Sequence, residues 1–210
     1  MEFDFANIAG QDAYKLMIST VVPRPIALVT TTDQNGVVNA APFSFFNVLG
    51  ANPPIVALGL DTHPEKVFKD TSANIRQSGE FVIHIVNNRI AEQMNICATD
   101  FGSEVNELEE AGLTTLPSVK VTPPRIAEAP VAMECKRLVT LEFGAAHNIV
   151  MGQVHYMHIS DDLVIDADKH YIDVGKLDAV GRLNAAAYAR ITDRFEMPRM
   201  SVEEWRVKKE

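Results

Sequence analysis

The sequence has no apolar run long enough to cross a bilayer as a helix, so no membrane span is expected. Its first residues, MEFDFANIAGQDAYKL, are acidic and lack the basic head and apolar stretch of a secretory signal. Cysteine is scarce. Cys97 and Cys135 form no CxxC pair and are too few for a disulfide framework, which leaves a reducing, cytoplasmic compartment as the expectation. Positive charge is scarce too: 19 Lys and Arg stand against 28 Asp and Glu, a net charge of −9. A nucleic-acid binder would need a basic patch to release counterions, so nucleic acid and anionic membrane surfaces are not expected partners. A phosphorylated small ligand remains open, because a few local cations and backbone N–H groups suffice for it.

The motifs of several catalytic classes are also missing. There is no GxGxxG after a strand, no GxxxxGK[ST], no HExxH and no GxSxG. His155 and His158 are three apart, which in a strand sends them to opposite faces, so no metal site is expected. Neither cysteine has a neighbouring base, and both read as small buried hydrophobes. The chain therefore offers no nucleophile or metal of its own. If it is an enzyme, a cofactor carries the chemistry, and no side chain is assigned a catalytic role.

What is present is enough apolar residue, 47% of 210, for one sizeable core. Residues 1–210 read as a single domain with a C-terminal extension from about 179. Asp12 to Thr20 has helical spacing and should stop before Pro23. Arg24 lies between two prolines, in a rigid entry to the first strand. Ile26 to Val29 is that strand, Asp33-Gln34-Asn35-Gly36 a tight turn, and Val37 to Ala41 the returning partner. Val48-Leu49-Gly50 leads into a turn at Asn52-Pro53-Pro54, and Ile55 to Leu60 is a third strand, apolar on both faces and so central. Glu65 to Gly79 is the clearest helical stretch, with Asp70 or Thr71 as N-cap of its second part and Gly79 as its stop. Phe81 to Val86 is a strand, Arg89 to Ala98 a short helix, Phe101 to Leu116 an acidic surface loop with one helical turn, and Pro117 to Pro130 irregular. Two long strands, Val131 to His147 and Ile149 to Ile159, should form a hairpin turning near His147-Asn148. Leu163 to Ile165 reads as a short strand and Asp173-Val174-Gly175 as a turn. The pattern is mainly β with inserted helices: a Greek-key or partly open β-barrel, rather than a doubly wound sheet with alternating helices.

Three groups are candidates for holding a cofactor. Thr30, Thr31 and Thr32 with Ser44 and Asn47 flank an aromatic loop that can seat a flat polar ligand, although any antiparallel barrel contains such a hairpin. Lys69, Asp70 and Thr71 with Asn74 and Arg76 form a helix start suited to a phosphate, or an ordinary solvated cap. Gly181 and Arg182 with Tyr188 and Arg190 offer a close backbone approach, a guanidinium fork and a stacking ring, or else a helix that docks the C-terminus.

Taken together, PRPIALVTT (23–31), NAAPFSFFN (39–47), NPPIVALGL (52–60), KDTSANIRQSGEFVIHIV (69–86), VGRLNAAAYAR (180–190) and FEMPR (195–199) resemble the flavin reductase-like family. That family has the FMN-binding split barrel, a Greek-key β-barrel, and includes flavoredoxins and the reductase components of two-component flavin monooxygenases. The resemblance implies a homodimer with FMN, or FAD as the alternative, near the dimer interface. It lays Pro42, Phe43, Ser44, Phe45, Phe46 and Asn47 along the flavin ring, with Thr30, Thr31 and Thr32 beside it. It gives Lys69, Asp70, Thr71 and Asn74 to the ribityl phosphate, and lets Arg182, Tyr188 and Arg190 reach the partner's flavin. Two departures stand out: His84 where similar proteins often have Asn, and Asn184-Ala185-Ala186 in place of a glycine-rich continuation. The implied activity is NAD(P)H-dependent reduction of FMN. The alternatives are a flavoredoxin-like FMN carrier served by a redox partner protein, and a non-catalytic flavin-binding barrel. A partner monooxygenase would fit the first reading.

Overall fold

From Arg24 to Asp61 the chain lays down five strands: β1 (Arg24–Pro25), β2 (Ala27–Thr32), β3 (Val38–Phe43), β4 (Phe46–Ala51) and β5 (Pro54–Asp61). A helix, α1 (Gly10–Thr20), precedes them. There follow α2 (Asp70–Ser78), β6 (Glu80–Ile85), α3 (Ala91–Ile96), α4 (Glu107–Glu110), and the short pair β7 (Thr115–Leu116) and β8 (Arg125–Ile126). The long hairpin β9 (Val131–Phe143) and β10 (His147–Ile159) comes next, then β11 (Val164–Asp166), β12 (Tyr171–Ile172), α5 (Val174–Leu177), β13 (Val180–Arg182), β14 (Tyr188–Arg190) and α6 (Val202–Lys209). The structure is a computed structural model, and it describes residues 1–61, 68–102, 104–143 and 147–209.

Seven strands form one antiparallel sheet in the order β3-β2-β6-β9-β10-β5-β4. The two edges of this sheet are β3 and β4, and only Ser44 and Phe45 separate them in the chain. Two residues span at most about 7 Å. The sheet must therefore curl until its edges nearly meet, which makes a barrel split along the line where they do not pair. Val29, Leu58, Phe81, Ile83, Met133 and Val150 fill its interior, with Ile75 of α2 among them. Leu28, Val86, Ile90, Met94, Leu108 and Ile126 form a second cluster on the opposite face of β2 and β6, under α3, α4 and β8. Burial on both faces explains why Ala27, Leu28 and Val29, the first half of β2, are apolar without alternation.

Gly152 shows how closely the interior is packed. A Cβ built on it would lie 2.4 Å from Cζ of the fully buried Phe81. Gly152→Ala should therefore cost about 1–3 kcal/mol through displaced packing. The check is a fall in the urea midpoint, and an unchanged midpoint would show that the ring moves aside freely.

The hairpin β2–β3, the interior strand β5, and the stop of α2 at Gly79 (φ 72°) agree with the sequence expectations. Other parts differ. Val48-Leu49-Gly50 belongs to β4, an edge strand with most residues exposed, so it lacks the alternation that marks a half-buried strand. The N-cap of α2 is Lys69 rather than Asp70 or Thr71, because Thr71 turns inward; the earlier part of the expected helix, residues 65–67, lies outside the described residues. His147 and Asn148 belong to β10, where they pair with β5 and β9, so they are not the hairpin turn; residues 144–146 lie outside those described. The helical turn α4 is anchored by buried Glu107 and Leu108, not solvated throughout. Within the irregular stretch, Arg125 and Ile126 pair with β7. Asp173 to Gly175 opens α5, with Asp173 capping it, and residues 180–190 form a β-hairpin against β1 instead of a helix.

Candidate functional site

A cavity of about 950 Å³ opens beside the split, between α1, the Ser44–Asn47 segment, β5 and the start of β10. The segment lies flat on β5 because Gly59 lets it. The Gly59 N–H donates to the Phe45 carbonyl at 2.7 Å, and a Cβ on Gly59 would stand 2.9 Å from that of Phe45. Tyr14 of α1 meets the Phe45 ring edge-on, with centroids 6.2 Å apart. The walls are thus aromatic and aliphatic, with polar groups at a few points. Val48 N–H donates to Asn47 Oδ1 at 2.8 Å, which leaves the Asn47 amide nitrogen as a donor. Ser44 Oγ lies 3.5 Å from Arg24 Nε, and its own O–H remains able to donate.

Arg24 is the enclosed cation of the cavity wall, with 7% of its surface exposed, and Asn148, at 3%, is its enclosed amide. Nη1 donates to the carbonyls of Ile18 at 2.7 Å and Val21 at 2.8 Å, and Nη2 to that of Leu183 at 2.7 Å. Burial, with Arg182 nearby, holds its pKa below the usual arginine value. Among the described residues no Asp or Glu lines the cavity.

Behind this wall sits a buried polar network. Asn74 Nδ2 donates to Thr31 Oγ1 at 3.0 Å. The Asn39 amide, oriented with its nitrogen 3.2 Å from Glu107 Oε1, accepts from the Thr71 hydroxyl at 2.9 Å. Glu107 Oε2 accepts from the Ala40 N–H at 2.9 Å, and burial raises the Glu107 pKa. Ser72 Oγ donates to Oδ1 of Asn148, a cavity residue, at 3.3 Å, so the first turn of α2 touches the cavity wall through one hydrogen bond.

Of the residues singled out in the sequence, Ser44, Phe45, Phe46 and Asn47 come together in the cavity. Pro42 and Phe43 lie in β3, Phe43 within the core. Thr30 donates to the Pro124 carbonyl at 2.6 Å, Thr31, Thr71 and Asn74 belong to the network, and the buried Thr32 hydroxyl has no partner among the described residues. Lys69 is exposed at the start of α2, beside Asp70. Arg182 and Tyr188 line a second cavity of about 770 Å³ with Arg190 and Asn88. There the Arg182 guanidinium stacks 4.5 Å from the Tyr188 ring centroid and donates to the Tyr188 hydroxyl and the Ala185 carbonyl. Sequence reading missed Arg24, Tyr14, Met17, Phe143 and Asn148 as cavity residues. Only Arg24 carried a local signal, a charged residue locked between two prolines.

The described residues hold no group of His, Cys, Asp and Glu able to bind a metal, and no helix long and apolar enough to cross a membrane. Burial pushes the Cys97 thiol up to about 12 and raises that of Cys135 as well, so neither serves as a nucleophile. Residues 18–175 match the family described as Flavin reductase like domain. The chain belongs to this family. It resembles Pseudomonas fluorescens 2-nitrobenzoate 2-nitroreductase NbaA, with 35% identity, a TM-score of 0.88, and 96% of this chain and 98% of that one covered. Nitrilotriacetate monooxygenase component B from Bacillus cereus is 31% identical, with a TM-score of 0.89 and coverage of 94% and 98%. A Shewanella frigidimarina protein described as a flavin reductase with split barrel domain shares the fold, with a TM-score of 0.81 at 22% identity over 95% and 100% of the chains. The curled sheet and its unpaired seam are thus the split barrel of the flavin reductase like family. The donor set of the cavity fits a flat polar ring: the walls are aromatic and aliphatic, and Asn47 and Ser44 keep hydrogens to donate.

Proposed function

We propose that this chain is a flavin reductase that binds FMN in the cavity at the split and reduces it with NAD(P)H. The observation that carries this reading is the cavity itself, apolar and aromatic, with hydrogen-bond donors at its edge and, among the described residues, no carboxylate in its wall. Bound FMN supplies the hydride-accepting chemistry that the side chains lack. Ser44 and Asn47 orient the ring through its carbonyls, Phe45 and Tyr14 cover it and exclude water, and Lys69 with the first N–H groups of α2 holds the phosphate. FAD, which carries the same ring, is the competing ligand. Residues 1–210 act as one domain, with the stretch from about 179 as its extension. The protein works as a homodimer, which exposed Val48, Leu49, Leu138, Leu141 and Phe143 support. The likeness to component B of a two-component monooxygenase supports a monooxygenase partner that takes the reduced flavin.

The test is the absorption spectrum of the purified protein with added FMN, followed by anaerobic NADH or NADPH. Flavin bands that bleach, and turnover with free FMN, are expected. Binding without nicotinamide oxidation would leave a flavoredoxin-like carrier. A protein that binds no flavin would overturn the reading. Lys69→Ala should weaken FMN binding about tenfold, ~1.4 kcal/mol, in a fluorescence titration. An unchanged affinity would remove Lys69 from the site. A second reading, favoured by the 35% identity to a nitroreductase, keeps FMN bound and passes its electrons to a nitroaromatic acid. Anaerobic consumption of 2-nitrobenzoate by the FMN-loaded protein separates the two.

A further inference from the structure

We propose that Arg24 is a positioning residue that raises the reduction potential of the bound ring, by supplying a fixed positive charge to the cavity and by holding Ser44. This rests on the flavin reading above. The argument starts from the chain. Pro23 and Pro25 fix the backbone on both sides of Arg24, so few orientations are open to its side chain. The guanidinium ties three segments that are remote in sequence: the end of α1 through the Ile18 and Val21 carbonyls, the turn after β13 through the Leu183 carbonyl, and the link between the sheet edges through Ser44 Oγ. All of these acceptors are neutral. Among the described residues no carboxylate pairs with Arg24 and none lines the cavity, while the like charge of Arg182 acts against it.

A buried cation matched only by dipoles is costly to keep. The partial negative charge at the end of α1 offsets part of that cost, since Ile18 and Val21 stand at its C-terminus. Neutral donors satisfy three carbonyls as well. What they do not provide is charge, and charge matters to a ligand whose own charge changes. A reduced nicotinamide gives up a hydride, two electrons and one proton. Its C–H bond breaks, an N–H bond forms at the ring nitrogen that accepts it, the nicotinamide becomes a cation and the neutral ring becomes an anion. In a cavity with apolar walls, a fixed guanidinium favours that anion over the neutral oxidised ring.

The experiment uses the full chain loaded with FMN. It measures the midpoint potential against reference dyes, the affinity for FMN in both redox states, and the melting temperature, for wild type, Arg24→Gln and Arg24→Lys. Gln keeps polarity and removes charge; Lys keeps charge and loses the fork. In Arg24→Gln the reduced form should lose about tenfold more affinity than the oxidised form, which for a two-electron couple is a fall of about 30 mV. Arg24→Lys should hold the potential near that of wild type despite a lower melting temperature. Equal losses of affinity in both redox states, or potentials that fall together with melting temperature in both variants, would make Arg24 a structural latch only and overturn the proposal. If Arg24→Gln does not fold, Arg24→Lys decides: a retained potential supports the role and a lowered one removes it. Failure of the wild type to bind flavin is a separate result, and it overturns the flavin reading itself.

Discussion

Replacing Glu134 by leucine should cost the protein about 3–5 kcal/mol, the usual consequence of removing one partner from a buried charged cluster. Glu134 is fully buried on β9. Its Oε1 accepts from the Val119 N–H at 2.8 Å and from His158 Nε2 at 2.7 Å, and its Oε2 accepts from the Lys120 N–H at 2.5 Å. Burial alone would raise its pKa, but these donors outweigh burial and hold the carboxyl below the usual range. The carboxylate is what pins residues 117–124, rich in proline and poor in regular structure, onto the sheet. Leucine leaves two backbone donors and an imidazole without an acceptor. The urea midpoint at neutral pH should fall with little change in slope. Amide exchange at Val119 and Lys120 should quicken more than at β9. Glutamine, whose one carbonyl serves fewer donors, should fall between. A leucine variant as stable as wild type would refute the clamp.

Acid should destabilise the protein well before its carboxylates are protonated, and His84 is the reason. Its Nδ1 donates to the Leu28 carbonyl at 2.9 Å, and its Nε2 accepts from the Ile126 N–H at 2.9 Å. Both ring nitrogens are used by a neutral imidazole, and burial pushes the pKa from 6.5 to about 4. The sign follows directly. Between these values the unfolded chain binds a proton that the folded chain refuses, so stability falls as pH drops from about 6.5 towards 4. The full loss is on the order of 3 kcal/mol. Glu134, with its depressed pKa, adds a loss of the same sign at lower pH, while the raised pKa of Glu107 acts in the opposite direction. Melting curves from pH 7.5 to 4.5 should slope steeply in wild type and flatten in His84→Asn. Equal slopes in the two proteins would remove His84 as the cause.

His84 also shows what the sequence does and does not disclose. Its place in a strand was legible, because Phe81 to Val86 is apolar and bounded by Gly79. Its neutral state was not, since both of its partners come from distant segments. The same division runs through the molecule. Asn35-Gly36 announced the β2–β3 hairpin, and the glycine there has φ 85°. The edge strand β4 did not announce itself, because its residues face solvent and carry no buried alternation. Ser44, Phe45, Phe46 and Asn47 were legible as a loop able to seat a flat ligand, and they line the cavity. The hydroxyls of Thr30 and Thr31 look identical in sequence to that of Ser44, yet strand pairing turns them to internal partners. Composition cannot tell such hydroxyls apart; only register can.

The link of Ser44 and Phe45 between the two sheet edges has a thermodynamic consequence. The segment proposed to meet the ligand is also the hinge pin of the barrel, so on that proposal occupancy and cohesion are coupled. A ligand that grips Ser44 and Asn47 fastens β3 to β4, and its binding free energy adds directly to the resistance of the whole sheet to opening, by RT ln(1 + [L]/Kd). Conversely, a protein that gives its reduced ligand away leaves that seam less secured after each turnover. Fast release and a durable barrel therefore pull against each other in this fold, and selection for one is felt by the other.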